Sequence, residues 1–342
     1  MLKINGRFYT QKTTGVQRFA RELSSRLTLD HEFLVPNHVL DSSDLKPIPH
    51  RFVGKKYGHL WEQFELRRSL KKSDLLLNLC NTGPAFLNNQ IVTIHDLAFL
   101  HKPEWFSKGF QIYYSNLLSH IAKRSRAICT VSEFSKSEIL KYFQVPEDKV
   151  HVLYNGVDLS RFTPGKTNEA EPYLLSVSSL DPRKNFVGLI KAFLAANLEG
   201  VKLKIVGDRH ANFSNNSELE ELLKNPLVEF TGRVSDDELI ALYQGASLFV
   251  FGSLYEGFGI TPMEALATET PILVSDIPVF REVYGDLAEY APPEDSQAFG
   301  ERIREVFAQK KQANPQLLHS KLSQFKWELS AKKLEALVQA HL

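Results

Sequence analysis

Apolar runs of three to five residues recur between amphipathic stretches along the whole chain, and this rhythm narrows the fold more than any other feature. In the first half the runs are Phe33–Val35, Leu75–Leu79, Ile91–Ile94, Ala127–Val131 and His151–Leu153. In the second half they are Tyr173–Val177, Leu203–Val206, Val228–Phe230, Leu248–Phe251 and Ile272–Val274. Helical patterns separate most of them, among them Val16–Leu27, Gln111–Lys123, Phe186–Ala196, Asp236–Gln244 and Ala298–Ala308. Runs this short and this apolar read as strands buried on both faces. Strands alternating with helices favour parallel sheets whose crossovers cover both sides.

The polar, proline-containing stretch Arg161–Pro172 interrupts the rhythm, which then restarts. With 342 residues, too many for one ordinary core, the chain is expected to form two doubly wound α/β domains. Their predicted spans are residues 1–165 and 172–326, followed by one amphipathic helix over 327–342. No apolar run approaches the roughly 18–20 residues of a membrane span. The N-terminal Met1–Arg7 has no apolar signal core, so a cytoplasmic location is expected. Cys80 and Cys129 stand in apolar runs and are expected to be buried free thiols. The net charge of +1 hides an asymmetry. Residues 1–171 hold 24 Lys and Arg against 17 Asp and Glu, a net of +7, while residues 172–342 hold 17 against 23, a net of −6. Arg51, Lys55, Lys56, Arg67, Arg68, Lys71 and Lys72 carry much of the basic excess. Such a surface would attract an anionic membrane or acceptor, or be a merely solvated helical face. Nucleic acid is not expected, because aromatic residues do not interleave with the charges.

Chemistry concentrates in Glu256-Gly257-Phe258-Gly259-Ile260-Thr261-Pro262-Met263-Glu264. It joins the strand-like run Leu248–Phe251 to good helix-forming sequence, a place where backbone N–H groups can meet an anion. Two carboxylates beside such a site suit acceptance of hydrogen bonds from ribose and sugar hydroxyls. Glu264 also fits a capping box starting at Thr261, a purely structural alternative. A second stretch, Ser178–Phe186, follows the run Tyr173–Val177 and places Asp181 as N-cap and Pro182 as first helical residue. Arg183 and Lys184 would then sit in the first helical turn, against the dipole, which makes sense if an anion such as a diphosphate occupies the crevice. The alternative is that both side chains reach into solvent. His95-Asp96 closes the run Ile91–Ile94 at a strand tip, where α/β proteins bind ligands, although a lone His is often structural. Gly15 lies at the bend that joins the first strand to the first helix. No D-x-D triplet and no His/Cys spacing suggests a metal site, and no cofactor is expected.

These residues, nearly end to end, resemble the retaining glycosyltransferases of family 4, whose fold is GT-B: two Rossmann-like domains with parallel sheets and a C-terminal crossover helix. The resemblance rests on Glu256 and Glu264 as an E-x7-E pair, with Gly15, His95-Asp96, Val131–Ser135, Asn155–Asp158, Arg183-Lys184 and Phe230–Val234 around it. Pro182–Asn185 with Ile94–Leu97 looks most like bacterial mannosyltransferases of O-antigen or capsule synthesis. The resemblance implies that Arg183 and Lys184 hold the diphosphate and that Glu264 binds the ribose hydroxyls. It implies that Glu256 contacts the transferred sugar, with the backbone of Gly257, Phe258, Gly259 and Ile260 near sugar and phosphates. His95 would lie beside the sugar, Gly15 against the diphosphate, and Val234 against the base. Many relatives carry Gly-Arg where this chain has Ser178-Ser179, so the phosphate clamp would rest on Arg183 and Lys184 or borrow Arg18.

The function so implied is metal-independent transfer of a hexose, with mannose from GDP-mannose as the leading sugar donor. The acceptor would be a hydroxyl of a glycan or a lipid-linked oligosaccharide, at the inner face of the cell membrane if peripheral contact is made. A UDP-sugar or deoxyhexose donor, a sugar-nucleotide epimerase, and a non-catalytic glycan-binding protein of the same fold are the rival readings.

Overall fold

A computed structural model of the protein describes residues 1–46, 48–165, 171–208, 217–309 and 315–342. The chain divides into two compact units, Met1–Gly156 with Trp327–Leu342, and Val157–Lys326.

The first unit carries seven parallel strands: β1 (Leu2–Asn5), β2 (His31–Val35), β3 (His50–Phe52), β4 (Leu75–Asn78), β5 (Gln90–Thr93), β6 (Ala127–Thr130) and β7 (Val150–Val152). Their order in the sheet is β3-β2-β1-β4-β5-β6-β7. Its helices are α1 (Gly15–Ser24), α2 (Gly58–Leu60, continued by a π turn over Trp61–Leu66), α3 (Ala98–His101), α4 (Lys108–Arg124), α5 (Glu133–Phe143) and, from the far end of the chain, α13 (Trp327–Gln339). One face of the sheet is packed by Val92, Ile94, Leu118, Ile121, Ile128 and Ile139. The tail helix is seated by named contacts. Trp327 meets Phe19 edge to face at 6.1 Å, Ser330 Oγ donates to the Tyr154 carbonyl at 2.6 Å, and Arg126 donates to the His341 carbonyl at 2.7 Å. Gly156 makes that seating feasible, since a Cβ there would stand 2.4 Å from Trp327 N.

The second unit carries β8 (Tyr173–Val177), β9 (Lys202–Val206), β10 (Val228–Gly232), β11 (Leu248–Phe251), β12 (Ile272–Ser275) and β13 (Ala288–Ala291) in the order β10-β9-β8-β11-β12-β13, again parallel. Its helices are α6 (Phe186–Ala196), α7 (Ser217–Leu222), α8 (Asp236–Gly245), α9 (Ile260–Ala267), α10 (Pro278–Tyr284), α11 (Ser296–Gln309) and α12 (Pro315–Leu322). β8, β11 and β12 are buried at every position, as strands covered on both faces must be. The apolar runs of the sequence do not include β1, β3 and β13; β1 is buried throughout, but Lys3 and Asn5 break its apolar run. β3 is an exposed edge strand and β13 reads Ala-Glu-Tyr-Ala, so neither needs a continuous apolar run.

The predicted boundary at residue 165 lies inside the second unit. Polar composition there does not mean a loose linker, because residues 157–165 are bonded to that unit. Val157 N donates to the Phe325 carbonyl at 3.0 Å, Arg161 pairs with Asp236 at 2.6 Å, and Gln244 donates to the Thr163 carbonyl at 2.9 Å. Residues 166–170 of the expected linker lie outside the described residues.

Both cysteines are unpaired thiols. Cys129 is buried and Cys80, against expectation, only half-buried. Burial pushes both thiols up to about 12. Among the described residues no helix is long and apolar enough to cross a membrane.

Candidate active site

In each doubly wound sheet the chain reverses its direction of winding once, and ligands bind at the carboxyl ends of the strands flanking that point. In the second unit the reversal falls between β8 and β11. The loop after β8 carries Arg183 and Lys184, and the loop after β11 carries Glu256.

These three side chains meet. Lys184 Nζ donates to Glu256 Oε1, and Arg183 Nη1 lies 3.8 Å from Glu256 Oε2. The lysine and glutamate side chains retain only 13% and 8% of their exposure, which removes the solvent-facing alternative for the lysine. Lys184 Nζ also stands 5.3 Å over the Phe251 ring. Burial presses on both charges. It lowers the Lys184 pKa, with Arg183 adding and Glu256 opposing. It works to raise that of Glu256, but Lys184, Arg183 and the bonds from Lys184 and Ser253 outweigh it, so the carboxyl is held below the usual range. The cluster sets two cations around Glu256, and Asp181 Oδ1 lies 3.9 Å from Arg183 Nε on its other side.

The local fold differs from the expected helix start. Asp181 does cap a turn, accepting from Arg183 N at 2.9 Å, but the turn is a 3-10 element of only three residues, Pro182–Lys184. Asn185 follows at φ 55° and caps α6 itself, its Oδ1 accepting from Gly188 N at 3.3 Å. Arg183 and Lys184 therefore precede the α-helix, so their charges do not oppose its first turn. Asn185 also donates to the Pro293 and Gly252 carbonyls at 2.8 and 3.2 Å. The Arg183 carbonyl accepts from Leu254 N at 2.8 Å and from Ser253 Oγ at 3.2 Å. Ser253 Oγ also lies 2.7 Å from Glu256 Oε1, as a donor. Two loops 70 residues apart are thereby stitched into one platform.

Glu264 does not complete a capping box. The N-cap of α9 is Gly259, so Glu264 lies beyond the first turn, where its carboxylate cannot reach back to cap. It is buried, and its Oε2 accepts from the Tyr243 hydroxyl at 3.0 Å. Gly259 sits at φ +89°, and a Cβ there would stand 2.6 Å from the Phe280 ring. Tyr284 donates its hydroxyl to the Gly259 carbonyl. Burial pushes that hydroxyl far up, with Glu256, Tyr290 and Glu264 adding, so it stays a donor. Gly257, Phe258, Gly259 and Ile260 thus form a turn supported from α10. Val234 lies apart on the loop after β10, two strands from β8.

The first unit holds the remaining predicted residues. His95 follows β5 and is buried; its Nε2 lies 2.9 Å from the Leu79 carbonyl, and its backbone N donates to Asn81 at 2.8 Å. Burial lowers its pKa, so the ring is neutral, with Nε2 protonated toward that carbonyl. Gly15 opens α1, is exposed, and has nothing within 4 Å of the position a Cβ would take. Phe19 of α1 packs edge-on against the His95 ring at 4.7 Å, so both belong to one corner of the unit.

Four site-shaping residues escape the sequence reading: Asn185, Ser253, Tyr243 and Tyr284. Ser253 leaves a trace as a hydroxyl three positions before Glu256. The two tyrosines leave none, being 21 and 25 positions from their partners.

Two family models cover most of the chain: one described as Glycosyltransferase Family 4 matches residues 13–161, and one described as Glycosyl transferases group 1 matches residues 160–316. The chain is 35% identical over 275 residues to the O-antigen chain mannosyltransferase RfbU of Salmonella typhimurium, covering 80% of this chain and 75% of that protein.

The chain belongs to glycosyltransferase family 4.

It is also 27% identical over 329 residues to the O-antigen chain mannosyltransferase B of Escherichia coli, covering 85% of this chain and 86% of that one. Among solved structures it superposes on Alr3699/HepE of Anabaena, determined in complex with UDP and glucose, with a TM-score of 0.77, 17% identity and 99% of each chain covered. That likeness shows the fold, which is GT-B. The protein is a glycosyltransferase.

Proposed function

We propose that this glycosyltransferase is a retaining, metal-independent mannosyltransferase that uses GDP-mannose in the synthesis of a cell-surface polysaccharide such as O-antigen. The observation that carries the reading is the Lys184–Glu256–Arg183 cluster, built on the buried Glu256, at the winding reversal of the second unit. Its two cations suit a diphosphate, and its carboxylate suits sugar hydroxyls. The names of the two mannosyltransferase relatives support the choice of sugar.

In this mechanism the bond from the anomeric carbon to the diphosphate oxygen breaks while the acceptor oxygen bonds to the same face of that carbon. The acceptor proton passes to the departing phosphate, whose growing charge is met by Lys184 and Arg183. Glu264 takes the ribose hydroxyls, the Gly257–Ile260 backbone lies along sugar and phosphates, and Val234 meets the base. Hydrolysis of a panel of nucleotide sugars tests the reading: GDP-mannose is expected to be turned over fastest. A clear preference for a UDP-sugar would replace the donor, and no turnover of any would remove the reading.

The acceptor we propose is a glycan or lipid-linked oligosaccharide reached from an anionic membrane surface. Tyr57, Leu60 and Phe64 are exposed along α2 and its π turn, between exposed Lys55 and Lys56 on one side and Arg67 and Arg68 on the other. Apolar side chains flanked by cations fit the interface of an anionic bilayer. Co-sedimentation with phosphatidylglycerol vesicles is expected and should be lost in a Leu60→Ser, Phe64→Ser variant; undiminished binding by that variant would move the contact elsewhere.

A further inference from the structure

Tyr243 is wholly buried, and its hydroxyl has a chemical task beyond filling space. It stands 3.0 Å from Glu264 Oε2, and because an ionised carboxylate only accepts, the hydroxyl is the donor. The tyrosine itself is held on several sides. Its ring packs at 6.0 Å from Phe162 and 5.7 Å from Phe249. Its backbone carbonyl accepts from Thr270 Oγ1 at 2.7 Å. Thr270 Oγ1 lies 3.0 Å from Thr268 Oγ1, which donates to the Ala265 carbonyl at 2.8 Å, and Thr270 N donates to the same carbonyl at 3.0 Å. The last turn of α8 is therefore tied to a carboxylate in the body of α9 and to the exit of the same helix. A Glu carboxylate rotates broadly about its terminal torsion, so a fixed hydroxyl on Oε2 restrains that rotation.

We propose that Tyr243 is a positioning residue for the nucleotide: it holds the Glu264 carboxylate in the orientation that accepts both hydroxyls of the ribose. The inference rests on the assignment of Glu264 to the ribose. Tyr243 makes no contact with the ligand and acts only through the glutamate. The chemical class selected is a ribonucleoside diphosphate, whichever base it carries.

The test is calorimetric binding of GDP and UDP, each beside its 2′,3′-dideoxy analogue, to wild type, Tyr243→Phe, Glu264→Gln and the double variant. Phenylalanine keeps the ring contacts with Phe162 and Phe249, and thermal denaturation verifies the fold. Wild type is expected to prefer the ribonucleotide. Tyr243→Phe should bind the ribonucleotide about tenfold more weakly, the size of a lost hydrogen bond to a charged group, with dideoxy binding unchanged. Adding Tyr243→Phe to Glu264→Gln should cost nothing more, because both act on one contact. A purely structural role would weaken both nucleotides alike and add to Glu264→Gln, and either result overturns the proposal, as does unchanged discrimination in Tyr243→Phe. Wild type that binds ribo- and dideoxynucleotides equally, or neither nucleotide, would instead remove the Glu264–ribose assignment and the inference with it.

Discussion

Lys184→Ala is expected to lower sugar transfer and sugar-donor hydrolysis by about a hundredfold to a thousandfold, the range for removing one pre-positioned group that stabilises developing negative charge. Lys184 is the better buried of the two cations and the closer to Glu256. Its loss leaves the carboxylate with Arg183 at 3.8 Å as the facing cation. Taking the closer of two cations from a buried carboxylate also costs stability, up to about 3 kcal/mol. The two effects separate when turnover is measured at a temperature where circular dichroism shows the variant folded. Turnover within threefold of wild type under those conditions would take Lys184 out of the site. Lys184→Arg sharpens the result. It restores charge, but a planar fork cannot replace a compact ammonium between Glu256 and the Phe251 ring. Recovery should be partial.

How much of this was legible in the sequence follows from the range of the forces involved. The strands β8, β11 and β12 announce themselves because a strand buried on both faces must be apolar throughout. The Glu256 and Lys184 loops announce themselves because polar residues at the end of such a strand have no packing reason to be there. What pairs across the fold is silent. Nothing in Pro182-Arg183-Lys184-Asn185 says that Lys184 will reach Glu256, 72 positions away, or that Asn185 will turn left-handed and bond the Pro293 carbonyl. The capping box at Thr261 failed for the same reason. A local pattern fitted, but Gly259 can take φ +89° and begins the helix earlier, and tertiary contact with Tyr284 and Phe280 holds it there. The boundary at residue 165 was misplaced because composition cannot distinguish a free polar segment from one whose backbone is already bonded.

Glu256→Gln is the change whose consequences reach furthest, since it preserves size and removes only the buried charge that Lys184 and Arg183 face. Ser253 Oγ can still donate to the amide oxygen, so the platform should persist while transfer falls by about a hundredfold or more. A pH profile separates this from a simple packing defect. Burial and Arg183 depress the Lys184 pKa, and of the two carboxylates that hold it up, Asp181 and Glu256, the larger effect is that of Glu256. Without the carboxylate that pKa falls further, so the protonated, active lysine is lost earlier as pH rises. The alkaline limb of kcat/KM should therefore move to lower pH in Glu256→Gln, and an unmoved limb would mean that the lysine's charge is not set by the glutamate. Stability carries a matching signature on the acid side. The folded Glu256 pKa lies below its ordinary value of 4.5, so its ionisation stabilises the native state above that pH. The contribution disappears as pH falls through the folded value. Urea denaturation should accordingly show the variant less stable than wild type at neutral pH, with the gap narrowing once the pH drops below 4.5. A gap that stayed constant would assign the loss to packing, and the carboxylate's charge would have no part in holding Lys184 and Arg183 together.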